Sequence, residues 1–420
     1  MIKQILKIIW SQRKSNIWIF AELTVVVCAV WWITDQMYVD LKTYYSPMGY
    51  DISNTWRFQL DNLAPEAPGY VPEEIYQSTE GDDLMRLQTQ ILQHPSVENV
   101  CISFYSAPYA FGNSWTQIMP VEGDTTYREN SFQCRYVSPE FFDLFRIKDI
   151  HGNSITSMVE SAHIPVVVSE DMALKFFHTS DVRGRQLQYP SGDTRMTIAA
   201  VSVPYRDNEY KRSEPFFYKI YSGTDLKDFI MDTSVKSLEF CVRMKRHYSQ
   251  EEINEFLKEM EDRLTVNNLT VYSVRSITHN KELILRDTNK ETSKKMSLVG
   301  FLLINVLFGI IGTFWLRTQH RKAEFGLRVA LGADQSSIRF YSYLEGIILL
   351  LLTVPLTLPF VLNIIFMDVP DMYRVPYSIG RFLITYSLTY VLMTVMICIG
   401  IWFPVRRVVK LAPAEALHYE

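Results

Sequence analysis

Apolar residues are concentrated in four runs. Ile17–Val39, Met296–Trp315, a third from about Tyr343 to Phe366, and Phe382–Phe403 are nearly continuous in apolar residues. Each reaches the length of about 20 residues that a helix needs to cross a hydrocarbon core of about 30 Å. The second and fourth runs hold no charged residue, whereas the first holds Glu22 and Asp35. That first run is too long for a signal peptide and no small-x-small cleavage site follows it, so it reads as a retained helix, with Trp31, Trp32 and Tyr38 as interface anchors.

Basic residues flank the spans unevenly. Lys3, Lys7, Arg13 and Lys14 precede the first, Arg317, Arg321, Lys322, Arg328 and Arg339 separate the second from the third, and Arg406, Arg407 and Lys410 follow the fourth. The positive-inside rule places these three regions, and so both termini, in the cytoplasm. Residues 40–290 are then extracytoplasmic. Ile2, Ile5, Leu6 and Ile9 share one helical face, so residues 1–15 read as an amphipathic helix on the inner membrane surface.

The polar stretch between the first two spans repeats a pattern at its two ends. Thr55–Leu60 reads as a strand, Asp82–Gln93 as a helix with Leu84, Leu87 and Ile91 on one face, and Val97–Phe104 as a strand. Leu238–Met244, a helix capped by Ser249 and Glu252, and Leu269–Val274 repeat that order. Two such β-α-β units pair as a split, ferredoxin-like sheet. Between them lie the shorter runs Ile164–Ser169, Arg185–Tyr189 and Met196–Val203, with a helix at Glu170–Phe177, which predict a β-rich lobe separable from that sheet. After Ser276 no Pro or Gly interrupts the chain before the second span, so a helix can run unbroken from the domain into the membrane.

The expected fold class is therefore an α+β membrane protein, with four transmembrane helices and a large extracytoplasmic α+β domain between the first and second. The divisions are 1–15 (amphipathic helix), 16–39 (first span), 40–290 (outer domain), 296–316 (second span), 317–342 (inner loop), 343–366 (third span), 367–381 (short outer loop), 382–403 (fourth span) and 404–420 (inner tail). Within the outer domain, 40–105 and 235–290 form the β-α-β lobe and 106–234 the inserted lobe.

Composition narrows the function. A net charge of −4 argues against a general nucleic-acid binder, and 13% aromatic residues suit a chain that meets membrane interfaces. No phosphate-cradling G-x-x-x-x-G-K-[ST], no H-E-x-x-H and no G-x-S-x-G occurs, and the eight histidines are scattered, so no enzyme site, metal site or cofactor is expected. The five cysteines form no C-x-x-C pair. Cys101 and Cys241 fall in strands of the two echoing units, where a bridge or two buried thiols would fit. Glu22 lies within the first span, where an acidic side chain is costly. It reads either as a contact between subunits or as a group reaching the interface. Asp35, nearer the outer edge, is expected to reach water.

The segment after the second span, RTQHRKAEFGLRVALGADQSSIRFYSYLEG, resembles the signature of the MacB/FtsX family of ABC-transporter permeases, R-x-x-E-I-G-[IL]-R-x-A-[LV]-G-A followed by a Glu at the next span. Arg321, Glu324, Gly326, Arg328, Ala330, Gly332, Ala333 and Glu345 match, while Phe325 stands where an aliphatic residue is usual. Pro404, Pro413, Ala416, Leu417 and Glu420 resemble the family's C-terminal pattern, with His418 in place of Arg. Tyr136–Phe145 and Ile164–Ala173 are similar to elements of its extracytoplasmic domain.

The resemblance implies a dimer, with itself or with a related permease, that binds a separate ABC ATPase subunit and possesses no ATPase of its own. A periplasmic adaptor and membrane lipid are further partners it implies. It makes Arg321, Glu324, Gly326, Arg328, Gly332 and Ala333 the ATPase-coupling residues, the glycines allowing close backbone approach and the charges offering contacts, with Glu22 and Glu345 as intramembrane polar groups. The implied function is an export or extrusion permease of the bacterial inner membrane. An FtsX-like activator of a cell-wall hydrolase is the alternative, and a sensory receptor is disfavoured because the inner segments are too short for a signalling domain.

Overall fold

The computed structural model describes residues 7, 9–11, 13–72, 75, 78–110, 112–124, 126, 130–160, 164–192 and 194–409. The pattern of Ile2, Ile5 and Leu6 and the tail residues Pro413, Ala416, Leu417 and Glu420 lie outside them. The chain forms two compact units, residues 46–288 and residues 1–45 with 289–420.

Among the described residues of 46–288, twelve strands form one sheet. They are β1 (Thr55–Asn62), β2 (Val97–Phe104), β3 (Ser114–Gln117), β4 (Met119–Pro120), β5 (Ser131–Val137), β6 (Pro165–Ser169), β7 (Gln186–Gln188), β8 (Arg195–Ser202), β9 (Phe216–Ile220), β10 (Leu238–Met244), β11 (Thr265–Val266) and β12 (Leu269–Ser276). Their spatial order is β11-β12-β1-β10-β2-β5-β9-β6-β8-β7-β4, with β3 beside β5.

The two echoing units interleave. β1, helix Glu80–Leu92 and β2 form one, β10, helix Gln250–Glu259 and β12 the other, and their strands alternate as β12-β1-β10-β2, antiparallel throughout. This is the split β-α-β arrangement. Both helices begin at capping boxes, Thr79 with Asp82 and Ser249 with Glu252, which satisfy backbone N–H groups that the first turn leaves open. Leu84, Leu87 and Ile91 from one helix and Ile253 and Phe256 from the other bury against Phe58, Val100 and Phe240. Full burial of a side chain of this size contributes about 1.5–3 kcal/mol.

The inserted segment does not form a separate sheet. Ser103 and Phe104 of β2 pair with Val137 and Tyr136 of β5, and hydrogen bonding continues through β9 and β6. Without β5, the outer edge of β2 would carry unpaired backbone groups. Side-chain packing joins the lobes as well: Cys101 and Cys241 lie in one buried cluster with Phe141, Phe142 and Tyr218. The two cysteines are register partners across β2 and β10, and both are free thiols.

Four helices among the described residues are long and apolar enough to cross a membrane, Ile17–Tyr44, Ile277–His320, Gln335–Phe366 and Ile379–Arg407, and all but residues 277–288 of the second lie in the other unit. The second is part of one unbroken helix from Ile277. The third, expected to be continuous over 343–366, is interrupted: one helix ends at Leu351 and the next begins at Val354. Pro355 explains the break, because it has no N–H to donate to the preceding turn and its ring crowds that turn's carbonyl. Thr353 Oγ1 covers part of the gap by donating to the Leu350 carbonyl at 2.6 Å. Leu23, Val27, Ile310, Phe314, Leu349 and Ile397 share the core of this unit. Gly346 permits close helix contact there, since a Cβ at that position would lie 2.7 Å from Ile401 Cδ1.

Candidate coupling site

The segment between the second and third spans folds as a short helix, Lys322–Ala330, and both of its ends are fixed by interactions of its own residues. At the start, Arg321 donates to Glu324 through Nε (2.7 Å) and Nη2 (2.9 Å), and through Nη1 to Glu345 Oε2 (2.5 Å). Glu345 belongs to helix Gln335–Leu351 and is 3% exposed. Its other oxygen accepts from Arg317 Nη2 at 2.5 Å. Arg328, one turn beyond Glu324, donates to it at 2.6 Å, and its guanidinium lies 4.5 Å from the centre of the Tyr341 ring.

The end of the helix explains Gly332 and Ala333. Gly332 has φ of +90°, in the left-handed region where a Cβ is penalised. Its N–H donates to the Val329 carbonyl at 3.0 Å, and Ala333 N–H donates to the Arg328 carbonyl at 2.9 Å. These paired bonds form a Schellman motif. Nothing lies within 4 Å of a Cβ built on Gly332, so dihedral freedom, not space, accounts for glycine there. Gly326 is buried within the helix. Phe325 is 3% exposed and packs into the core of its own unit.

The site is therefore a compact ionic cluster of Arg317, Arg321 and Arg328 with Glu324 and Glu345, carrying one more cation than anion. Burial works against the charged form of Glu324, but hydrogen bonds and charge from Arg321 and Arg328 outweigh it and hold the carboxyl below its usual range. Burial likewise opposes the Arg321 charge, yet Glu324 and Glu345 raise its affinity for the proton. Buried pairs that satisfy one another in this way fix geometry more than they add net stability.

Of the residues singled out in the sequence, Arg321, Glu324, Arg328 and Glu345 come together, and Gly332 and Ala333 close the helix beside them. Glu22 lies apart from this cluster. Thr313 Oγ1 donates to both of its carboxylate oxygens, at 2.9 and 2.8 Å, so it joins the first and second spans within one chain. The pairings of three charged residues were not read from the sequence. Arg317 completes the cluster. Asp35, expected to reach water, is instead fully buried and pairs with Arg381, which begins the fourth span. The signal in the sequence was the charge itself, because an ionised group at membrane depth requires a partner.

Four membrane-crossing helices with a mixed α+β unit between the first and second define a polytopic membrane protein. Residues 296–413 match the FtsX-like permease C-terminal family. Residues 296–413 thus carry an FtsX-like permease C-terminal domain. Three solved structures are similar over part of its length. A domain of a permease protein from Porphyromonas gingivalis is 16% identical, with 55% of this chain and 92% of that one covered, at a TM-score of 0.34. The periplasmic region of MacB from Actinobacillus actinomycetemcomitans is 12% identical, with coverages of 58% and 97% and a TM-score of 0.32. The extracellular domain of the ABC-type transporter YknZ from Gram-positive bacteria is 12% identical, with coverages of 52% and 100% and a TM-score of 0.30. No curated protein matches the chain.

Proposed function

We propose that the chain is the permease subunit of an ABC-type export or extrusion system in a bacterial inner membrane, working as a dimer with both termini in the cytoplasm. A separate ATPase seats on helix Lys322–Ala330, and the work is done by the α+β unit on the far side of the bilayer, with or without a periplasmic adaptor. ATP hydrolysis belongs to the partner subunit.

The observation that carries this reading is the position of Glu345. It holds Arg317 of helix Ile277–His320 with one oxygen and Arg321, at the base of the short helix, with the other. A displacement of the short helix is thereby passed to two span helices through short ionic contacts. Helix Ile277–His320 is 44 residues long, which at 1.5 Å per residue is roughly 66 Å, and it supplies a stiff element along which such a displacement travels.

The test is the double variant Glu324→Gln/Arg328→Gln. It should insert and fold like the parent, yet lose co-purification with a nucleotide hydrolase from native membranes and lose export. Unchanged recruitment and unchanged export would overturn the reading. Co-purification of the parent protein with a cell-wall hydrolase, without any export defect on deletion, would replace it by the regulatory role.

A further inference from the structure

The α+β unit contains a polar cavity of about 280 Å³ that the coupling mechanism does not use. Tyr105, Tyr205, Gln133, Arg135, Asp207 and Lys211 contribute to its wall. We propose that it is a binding site for a carboxylate carried on a short peptide.

Arg135 is the centre of the argument. It is 3% exposed, and its guanidinium carbon lies 3.9 Å from the centre of the Tyr205 ring. Nη1 donates to the Ser106 carbonyl at 3.1 Å, and Nη2 to Gln133 at 3.3 Å and to Asp207 at 2.8 Å. Nε is buried and has no partner. A buried, unpaired donor on a charged group is costly. Lys211, on the cavity rim, has no carboxylate partner among the described residues. Among the described lining residues, Arg135 and Lys211 are cationic and Asp207 is the one anion, so the lining has one cation in excess.

The walls are built in advance. Buried Glu239 accepts hydrogen bonds from Ser103 Oγ and from the N–H groups of Ser106 and Ala107, at 2.8, 2.9 and 2.7 Å. The loop it anchors carries two non-glycine residues in the left-handed region, Tyr105 at φ +48° and Tyr109 at φ +56°. Strain of this kind persists where the surroundings enforce it, and it gathers at binding sites. The opposite wall is held by Arg206, which donates to the carbonyls of Ser46, Glu209 and Lys211 at 2.6, 2.7 and 2.8 Å.

The chemistry of the lining selects the ligand. A carboxylate neutralises the surplus charge and accepts from the Lys211 ammonium, with the Arg135 guanidinium, held by Ser106, Gln133 and Asp207, supplying positive charge behind it. The carboxamides of Gln133, Asn113 and Asn208 suit peptide N–H and C=O groups, and the tyrosine rings cover apolar side chains. The volume lies at the lower end of small-ligand sites, about 300 Å³, which limits the occupant to one or two residues.

Titration of the full-length protein in nanodiscs, followed by saturation-transfer NMR and calorimetry, tests this. The probes are acetyl-Ala-Ala with a free carboxylate, the same dipeptide as its amide, and acetyl-Glu-Ala-amide. Binding of the first alone identifies a chain terminus as the source of the carboxylate, and binding of the third identifies an acidic side chain. Lys211→Met should weaken the bound probe by about tenfold, the loss expected for one charge-assisted hydrogen bond. Gly112→Ala provides a second variant away from the buried core. A Cβ there would overlap the Tyr105 ring, so the ring must move and binding should fall. Equal binding of the neutral amide, absence of binding by all three probes, or unchanged affinity in both variants would overturn the proposal.

Discussion

Asp35 and Arg381 are both completely buried and joined by two parallel hydrogen bonds, Nε to Oδ1 at 2.9 Å and Nη2 to Oδ2 at 2.5 Å. Arg381 also donates to the carbonyls of Asp371 and Val375, which ties the connection before the fourth span to the first. Removing one partner leaves an uncompensated charge in an apolar setting, a loss of about 3–5 kcal/mol. Asp35→Leu should therefore lower the unfolding temperature in detergent sharply, and the double variant Asp35→Leu/Arg381→Met should recover much of the loss. A single variant as stable as the parent would show that the pair is not formed.

Glu345→Gln removes the anion shared by Arg317 and Arg321. The helix Lys322–Ala330 should then detach from the spans without unfolding the membrane unit. Limited trypsin digestion reads this directly, with cleavage in 321–334 expected to accelerate roughly tenfold, equivalent to about 1.4 kcal/mol of lost protection. Cleavage at the parental rate would mean that Arg321 is retained by Glu324 alone.

At Gly332 the backbone conformation dictates the outcome. Gly332→Ala should cost about 1–2 kcal/mol through the left-handed φ, whereas Gly332→Asn should cost less, because asparagine tolerates that region better than alanine does. Hydrogen exchange at Gly332 and Ala333 N–H reports the change. Equal protection in both variants would contradict the capping assignment.

The α+β unit should be sensitive to acid. Burial pushes the Asp51 carboxyl up, but hydrogen bonds from Ser53 and the Arg243 charge outweigh it and depress the folded value. At Asp149 the opposing contributions are burial and hydrogen bonds from Asn153 and His151, with the same net direction. Carboxylates depressed in the folded state stabilise it above their ordinary range near pH 4, and that contribution fades as pH falls through the lower folded values. Chemical denaturation followed by circular dichroism should show stability falling below about pH 4, and Asp51→Asn should flatten part of that slope. A flat profile down to about pH 3 would refute the prediction.

Much of the fold was legible because local rules sufficed. Ser249 and Glu252 marked a helix start by chemistry alone, and Leu84, Leu87 and Ile91 marked a face by spacing. β9 was not legible. Phe216, Phe217 and Tyr218 are buried in succession, so no alternation distinguishes that strand from its surroundings. The continuity of the sheet was hidden for a similar reason, because the pairing of Ser103 with Val137 is a long-range hydrogen-bonding event with no local trace. In the candidate site, the family-like spacing marked Arg321, Glu324 and Arg328, but it could not distinguish charges offered to another protein from charges that satisfy one another. Asp35 lies 346 positions from Arg381. A sequence reveals that such a charge is expensive and leaves its partner unnamed.

The helix Lys322–Ala330 is closed at one end by Arg321 and at the other by the turn at Gly332. A protein seated against it, as proposed above, would meet a finished shape and have no chain to immobilise. The entropy that a floppy strap would surrender on contact is already lost during folding of the permease itself. Under the proposed coupling role, association would accordingly be rapid, and even a modest interface would transmit movement in both directions without first having to stiffen.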